Sequence, residues 1–193
     1  MRNSKMKGFT LIELIVVIAI IGVLAAILVP SMLGYVRNAR ISSANANAKQ
    51  VHTAMSSALT QLGIANWDLA DNGIKYVGIQ MADDGKSIKC DWNGVTKKPT
   101  DDKVDLISYL GENFTGYGRA WYNSSTYSVN AAAWASTSDA LAVAYSANHI
   151  TIDAQNKTVN NKVDDVLQKN DAKAGNLYGV YPQGVADATA TTT

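Results

Sequence analysis

An unbroken apolar run from Leu14 to Val29 constrains this chain more than any other feature. The run lies within a longer segment, Phe9 to Leu33, whose one charged side chain is Glu13. At a helical rise of 1.5 Å per residue, these residues make a helix of roughly 37 Å, enough to cross a bilayer core of about 30 Å with some tilt. The residues ahead of it carry three basic side chains and no acidic one: Arg2, Lys5 and Lys7. The sequence therefore predicts a membrane-inserted stage with the N-terminus in the cytoplasm.

Two simple interpretations of this segment leave something unexplained. A secretory signal peptide has an apolar core of about 7–15 residues followed by small residues at the cleavage site. Val23-Leu24-Ala25 resembles such a site, but the apolar residues continue to Leu33. A plain single-pass anchor meets the length but gives no reason for Glu13, since an acidic side chain in hydrocarbon costs about 2.5–3.5 kcal/mol. Glu13 is therefore predicted to need a partner.

The residues Gly8-Phe9-Thr10-Leu11-Ile12-Glu13 resemble the N-terminal motif of the type IV pilin superfamily. In both, a short basic leader ends in Gly, Phe follows, and Glu comes four residues later at the start of a long apolar helix. The resemblance implies that prepilin peptidase, a membrane aspartyl protease, cuts the Gly8-Phe9 bond on the cytoplasmic side. It also implies that the new amine of Phe9 is N-methylated and that the helix enters the core of a filament. It covers the leader and the helix.

The mature helix would carry two opposite charges close together. The α-amine of Phe9 stays cationic after methylation, and Glu13 is anionic. In lipid or in a packed helical core, each charge is costly alone and tolerable when paired. The resemblance implies a salt bridge for assembly between Glu13 and the Phe9 amine of a neighbouring subunit. Because Glu13 lies one turn from its own N-terminus, an internal pairing stays open.

Beyond Leu33 the helix is predicted to continue with an amphipathic pattern. Apolar side chains recur at alternating spacings of three and four, as expected for a helix face that packs on a sheet. They are Ile41, Ala44, Ala48, Val51, Met55, Ala58 and Leu62. Gly63 is the predicted stop.

Gly22 and Pro30 mark the weak part of the helix. Pro30 removes one backbone hydrogen bond, which predicts a kink. The resemblance implies that the segment from Gly22 to Pro30 loses helicity in an assembled filament, and a static kink is the alternative.

After Gly63 the pattern changes to short elements. Strands are predicted at Ile74–Met81, Lys86–Trp92, Leu141–Tyr145, Ile150–Ile152, Thr158-Val159 and Leu177–Tyr181. Short helices are predicted from a Thr100-Asp101-Asp102 cap to Leu110, and from Lys162 to Lys169. Turns are predicted at Asp83-Asp84-Gly85 and Asn156-Lys157, and a frayed end from Val185.

These elements predict an α+β fold: a long kinked N-terminal helix, with a transmembrane half and an amphipathic half, packed on a small antiparallel sheet. The predicted organisation is a leader over residues 1–8, a transmembrane and filament-core helix over 9–33 and an amphipathic half over 34–62. A globular head over 63–193 follows, with a short disordered C-terminal tail.

The head carries little catalytic or metal-binding chemistry. Cys90 is the only cysteine, so no intramolecular disulfide can form, unlike in many pilins, and we interpret it as a small hydrophobe in a strand. His52 and His149 lack companions at zinc-ligand spacing. The acidic clusters do not have the spacing of a calcium loop and are interpreted as turns and helix starts: Asp83-Asp84, Asp101-Asp102 with Asp105, and Asp164-Asp165. No metal, no cofactor and no enzymatic activity are predicted.

Neither charge nor aromatic content gives the head a definite ligand. Without the leader's three cations, 14 basic residues stand against 16 acidic ones, so no net basic field attracts nucleic acid. Aromatic side chains interleaved with an arginine could stack on sugars or single-stranded bases, although aromatics in strands are more often core. They are Tyr117, Arg119, Trp121, Tyr122, Tyr127 and Trp134.

The predicted function is that of a structural pilin subunit that prepilin peptidase processes and that polymerises into a type IV pilus-like surface filament. Such filaments serve motility, adhesion or DNA uptake. The expected partners are other pilin subunits, the peptidase, the pilus assembly machinery and the membrane before assembly, with a surface ligand or DNA as a further candidate. The expected location is the inner (cytoplasmic) membrane first and the extracellular pilus afterwards. The alternatives are a pseudopilin of a type II secretion or competence system and a membrane-tethered ligand-binding module.

Overall fold

A computed structural model describes residues 9–65, 67, 69, 74–81, 88–93, 99, 106–111, 113–146, 149–153 and 158–182. The chain forms two compact units, residues 1–38 and 39–193. The first helix, α1, comprises Leu11–Ile64. It ends one residue past the predicted stop at Gly63, where the Trp67 N–H donates to the Leu62 carbonyl.

In the first unit, α1 buries no side chain. Every residue from 9 to 36 is exposed, although nearly all are apolar. The segment from Gly22 to Pro30 is helical, and the helix continues through Pro30. One turn is reinforced by the Ser31 hydroxyl, which donates to the Leu28 carbonyl at 2.9 Å. By length and composition, α1 is suited to span a membrane.

The second unit contains all the strands and the remaining helices of the described residues. They are β1 (Ile74–Met81), β2 (Ile88–Asn93), α2 (Ile107–Leu110), β3 (Tyr117–Asn123), β4 (Ser128–Ala135), α3 (Ser138–Ala144), β5 (Ile150–Asp153), β6 (Thr158–Asn161), α4 (Asp165–Lys173) and β7 (Tyr178–Tyr181). Five strands form an antiparallel sheet in the order β2-β1-β3-β4-β7, and β5 pairs with β6 in a second, two-stranded sheet. The predicted α+β class is confirmed.

The five-stranded sheet packs against α1 on one face and, along β3, β4 and β7, against a second cluster on the other. The α1 side chains of Val51, Met55 and Leu59 are fully buried against one face, together with Val77 and Tyr122. Side chains on the other face form a second cluster with α3 and the two-stranded sheet; it includes Trp121, Ala133, Leu141, Ile150 and Val163. Neighbouring residues of β3 therefore point into different clusters, as the period of two in a strand requires.

One element prediction is wrong, and the predictions lack two strands at the centre of this sheet. Leu141–Tyr145 was predicted as a strand, which is wrong, because Leu141 lies in α3. The Thr137 hydroxyl caps that helix by accepting from the Ala140 N–H at 3.2 Å. The central strands β3 and β4 were not predicted, because strands buried on both faces lack the alternation of polar and apolar residues that marks a half-exposed strand.

The other element predictions agree with the structure within a few residues. The predicted helix at Lys162–Lys169 is α4, which begins three residues later because the Asp164 carboxylate caps it by accepting from the Leu167 N–H at 2.8 Å. The predicted helix ending at Leu110 is α2. The turns at 83–85 and 156–157, the cap at 100–102 and the tail from 185 lie outside the described residues.

Candidate functional site

The N-terminus of α1 is closed by reciprocal hydrogen bonds between Thr10 and Glu13. One carboxylate oxygen of Glu13, Oε2, accepts from the Thr10 N–H at 2.8 Å and from the Thr10 hydroxyl at 2.6 Å. The Glu13 N–H donates back to the Thr10 hydroxyl at 3.3 Å. This is a capping box, which satisfies backbone donors that a helix start leaves without intrahelical partners. The Thr-x-x-Glu spacing is visible in the sequence, and sequence analysis missed it.

The capping box leaves Glu13 available for a second interaction. Among the described residues, its other oxygen, Oε1, accepts no hydrogen bond, and no cation pairs with the carboxylate. Phe9 lies next to it and is 84% exposed, while Gly8 lies outside the described residues. The structure therefore places Phe9 and Glu13 together at an open helix end.

The remaining predicted helix residues lie in the exposed part of α1. A side chain added at Gly22 would meet no atom within 4 Å, and Pro30 lies inside the continuous helix. The apolar side chains around them point in all directions, with Ile12 69%, Val23 64% and Ile27 69% exposed. A helix that is apolar on every side needs lipid or other helices around it.

The predicted candidates in the head do not form one site. Cys90 is half-buried and packs against the core cluster beneath α1. His52 lies on α1 beside the Tyr181 ring, with the ring centroids 5.0 Å apart, and burial lowers its pKa below the usual value despite a hydrogen bond with the Val129 backbone. No three His, Cys, Asp or Glu side chains of the described residues are grouped to hold a metal ion.

His149 belongs to a buried network that the sequence did not predict. Its Nε2 lies 2.8 Å from an Asp171 carboxylate oxygen, and its Nδ1 lies 2.5 Å from the Ser146 hydroxyl. The Tyr178 hydroxyl donates to the same Asp171 oxygen at 2.5 Å. Burial, reinforced by the Asp171 carboxylate, raises the pKa of Tyr178. The network fastens α4 to β7 and to the segment before β5.

The predicted aromatic group is divided between core and surface. Trp121 and Tyr122 are buried on opposite faces of the sheet, and burial raises the pKa of Tyr122. Tyr127 donates its hydroxyl to the Trp67 carbonyl at 2.6 Å, and Trp134 donates its indole N–H to the Thr115 carbonyl at 2.8 Å. The other two members, Tyr117 and Arg119, line a cavity with neighbouring strands, and Trp134 lines a smaller cavity beside α1.

Comparisons with known proteins match part of the chain, and the family model matches its N-terminus. Residues 3–29 match the family described as the prokaryotic N-terminal methylation motif. The chain is 42% identical over 59 residues to the type IV major pilin protein PilA of Myxococcus xanthus, a match covering 31% of this chain and 27% of the relative. The chain thus carries the methylation motif near its N-terminus and is similar over part of its length to type IV pilins.

Two other relatives also match part of the chain. The type IV major fimbrial protein FimA of Dichelobacter nodosus is 45% identical over 57 residues, covering 30% of this chain and 36% of the relative. The type IV major pilin protein PilE of Neisseria gonorrhoeae is 38% identical over 87 residues, covering 45% of this chain and 50% of the relative. The matched part thus spans between about a quarter and a half of these pilins. No solved structure matches the chain significantly.

Proposed function

We propose that this protein is the structural subunit of a type IV pilus-like filament. It is made as a membrane-inserted precursor, cut between Gly8 and Phe9 by prepilin peptidase, and methylated on the Phe9 amine. Residues 1–8 are the leader, residues 9–33 form the membrane and filament-core helix, residues 34–62 are the half of the helix that joins the head, and residues 63–193 form the head. The inner membrane holds the subunit before the assembly machinery adds it to the surface filament.

One observation carries this proposal: every side chain from residue 9 to residue 36 is exposed, and almost all of them are apolar. At about 25 cal/mol per Å² of apolar surface, leaving such a helix in water would be strongly unfavourable. A membrane covers this surface in the precursor, and the same helices of neighbouring subunits cover it in a polymer. A soluble enzyme or a soluble binding module would not be stable with such a surface in water.

Glu13 is proposed to supply the specificity of the assembly step. Its Oε2 already accepts both donors of Thr10, so the carboxylate is held at the helix end by its own chain. Among the described residues its Oε1 has no partner, so it can accept from the methylated Phe9 amine of an adjacent subunit. The capping box with Thr10 and the intersubunit pairing are thus compatible.

Processing is tested by the N-terminus of the purified protein. Edman sequencing or intact mass should give a mature chain that begins at Phe9 and carries one methyl group. Gly8→Leu should block cleavage, whereas Gly34→Leu, an identical change at an open helix position, should be processed normally. A mature start near Ile27, or an intact Met1, would contradict the proposed processing.

Assembly is tested by comparing two substitutions of Glu13. Glu13→Val removes both the charge and the cap. Glu13→Gln keeps the cap, because Glu and Gln both close a capping box, but it removes the charge. Both should accumulate in the membrane and fail to appear in sheared filaments, because the neighbour's amine would be buried unpaired at a cost of about 3–5 kcal/mol per subunit. Thr10→Ala, which loses both hydrogen bonds of the Thr10 hydroxyl and keeps the charge, should still assemble.

The outcome that would refute the pairing is normal filament yield from Glu13→Gln. Electron microscopy of a strain lacking the protein separates the pilus from the alternative pseudopilin. Loss of surface filaments supports the proposed subunit. Unchanged filaments with lost protein secretion or DNA uptake would instead favour the pseudopilin.

A further inference from the structure

A cavity opens on the face of the five-stranded sheet opposite α1, above a glycine. In the strand register, Gly78 of β1 lies between Asp91 of β2 and Arg119 of β3. Two residues further along β1, on the same face, Gln80 lies between Lys89 and Tyr117. Because Gly78 has no side chain, the space above it stays open and forms a cavity of about 580 Å³. Small-molecule sites have volumes of roughly 300–1,000 Å³.

The Arg119 side chain in this cavity is stacked against two tyrosine rings. Its guanidinium carbon lies 3.6 Å from the centre of the Tyr145 ring and 4.2 Å from the centre of the Tyr76 ring. Within the described parts of the chain, its N–H groups donate to no protein acceptor, and Nε is buried without a partner. Two rings thus fix the plane of the guanidinium, while the in-plane N–H donors that bind carboxylates in a fork remain unused.

We propose that this cavity binds a carboxylate-bearing sugar, such as a uronic acid residue, through Arg119. The planar fork of a guanidinium matches a carboxylate in two parallel hydrogen bonds. The preorganised side chain loses little rotamer freedom on binding, which favours affinity. The inference is independent of the proposed role in filament assembly, since all these residues belong to the second unit.

The other walls select a sugar over a simple anion. Asp91 faces Arg119 across Gly78, and a carboxylate accepts hydroxyl donors but repels a second negative charge. The Gln80 amide and the Ser138 hydroxyl also line the cavity and offer donors and acceptors to hydroxyl groups. Tyr117, which is 36% exposed, presents part of its ring to the ligand. A ligand with one carboxylate and several hydroxyls satisfies this set.

The test measures binding of glucuronate to the full-length protein in non-ionic detergent by isothermal titration calorimetry. Glucose serves as the ligand without the carboxylate and acetate as the carboxylate without the sugar. Saturable binding of glucuronate, at least tenfold tighter than that of either comparison ligand, is expected. Arg119→Gln should weaken glucuronate binding at least tenfold.

A second variant separates binding from folding. A Cβ at Gly78 would meet the Asp91 Cβ at 3.6 Å, an ordinary contact, so Gly78→Val should fold while filling the cavity floor. Valine also suits a strand. It should abolish glucuronate binding without lowering the melting temperature. Lys169→Gln, which removes a cation from the exposed surface of α4, is the charge control and should bind normally.

Three results would overturn the proposal. The first is the absence of saturable glucuronate binding to the unaltered protein. The second is equal binding of glucuronate and acetate, or of glucuronate and glucose. The third is normal binding by both Arg119→Gln and Gly78→Val, which would leave the stacked arginine with only a structural role.

Discussion

Gly179 in β7 is the position where a single methyl group should do most damage to the head. A Cβ placed there would overlap the carbonyl group of Ala44 and lie 2.5 Å from the Asn45 nitrogen, both in α1. The φ angle of Gly179 is not in the left-handed region, so the problem is contact and not backbone conformation. Gly179→Ala therefore tests how closely β7 must approach α1.

The expected cost follows from the contacts at this crossing. Relieving the overlap requires β7 to move by about 1 Å or more, since ordinary carbon contacts begin near 3.4 Å. The Val180 N–H donates to the Asn45 side-chain oxygen at 3.0 Å, and the buried Gln168 amide donates to that oxygen at 2.7 Å and to the Tyr178 carbonyl at 3.0 Å.

Two of these hydrogen bonds involve β7, which would have to move: the one from Val180 to Asn45 and the one from Gln168 to the Tyr178 carbonyl. At about 0.5–1.5 kcal/mol each they contribute about 1–3 kcal/mol, and overpacking adds about 1–3 kcal/mol. The sum centres near 4 kcal/mol. For a unit of this size, that corresponds to a fall of about 8–16 °C in melting temperature.

The assay is thermal unfolding of the full-length protein in detergent, followed by near-ultraviolet circular dichroism of the head's tryptophans. Gly78→Ala is the matched control, because it adds the same methyl group to the same sheet at a site with ordinary contacts. The control should stay within about 1 kcal/mol of the unaltered protein. If Gly179→Ala also stays within that range, the close packing of β7 on α1 is refuted.

Three further changes test the interior of the head. Asp171→Ala leaves the His149 ring and the Tyr178 hydroxyl without their acceptor, so chemical denaturation should show a loss of about 2–4 kcal/mol, and no loss would contradict the network. Tyr122→Phe removes a buried hydroxyl that has no partner among the described residues. The free energy of unfolding should therefore stay constant or rise by about 1–3 kcal/mol, and a clear decrease would show that the hydroxyl has a partner. Because burial lowers the pKa of His52, the stability of the head should fall as the pH drops below about 6.5. His52→Gln should reduce this pH dependence of the melting temperature, and an unchanged pH dependence would exclude His52 as the cause.

The same linkage gives the opposite sign at alkaline pH. Burial raises the pKa values of Tyr122 and Tyr178, so the folded head holds their protons more tightly than the unfolded chain does. Stability should therefore be fully present below about pH 10 and decline above it. Tyr122→Phe should reduce that decline, and an identical alkaline profile would show that Tyr122 does not contribute to it.

The amino-acid sequence by itself determined the first helix and its chemistry. The apolar run and the single Glu13 depend on neighbours within one or two turns, and such local patterns are legible without a fold. The same holds for the apolar seam from Ile41 to Leu62, whose members are all buried in α1. The Thr10–Glu13 capping box was equally legible and was overlooked.

Only the tertiary structure decided the centre of the head and its cavity. The strands β3 and β4 pack on both faces, so their sequences do not alternate between polar and apolar residues. The apolar residues around Leu141 indicate a strand, although Thr137 caps a helix there. The cavity depends on register: Gly78, Arg119 and Tyr145 are far apart in the chain and meet only because β1 pairs with β3 and α3 ends beside them. Non-local pairing of this kind is fixed by packing of the whole unit, and no local stretch of sequence specifies it.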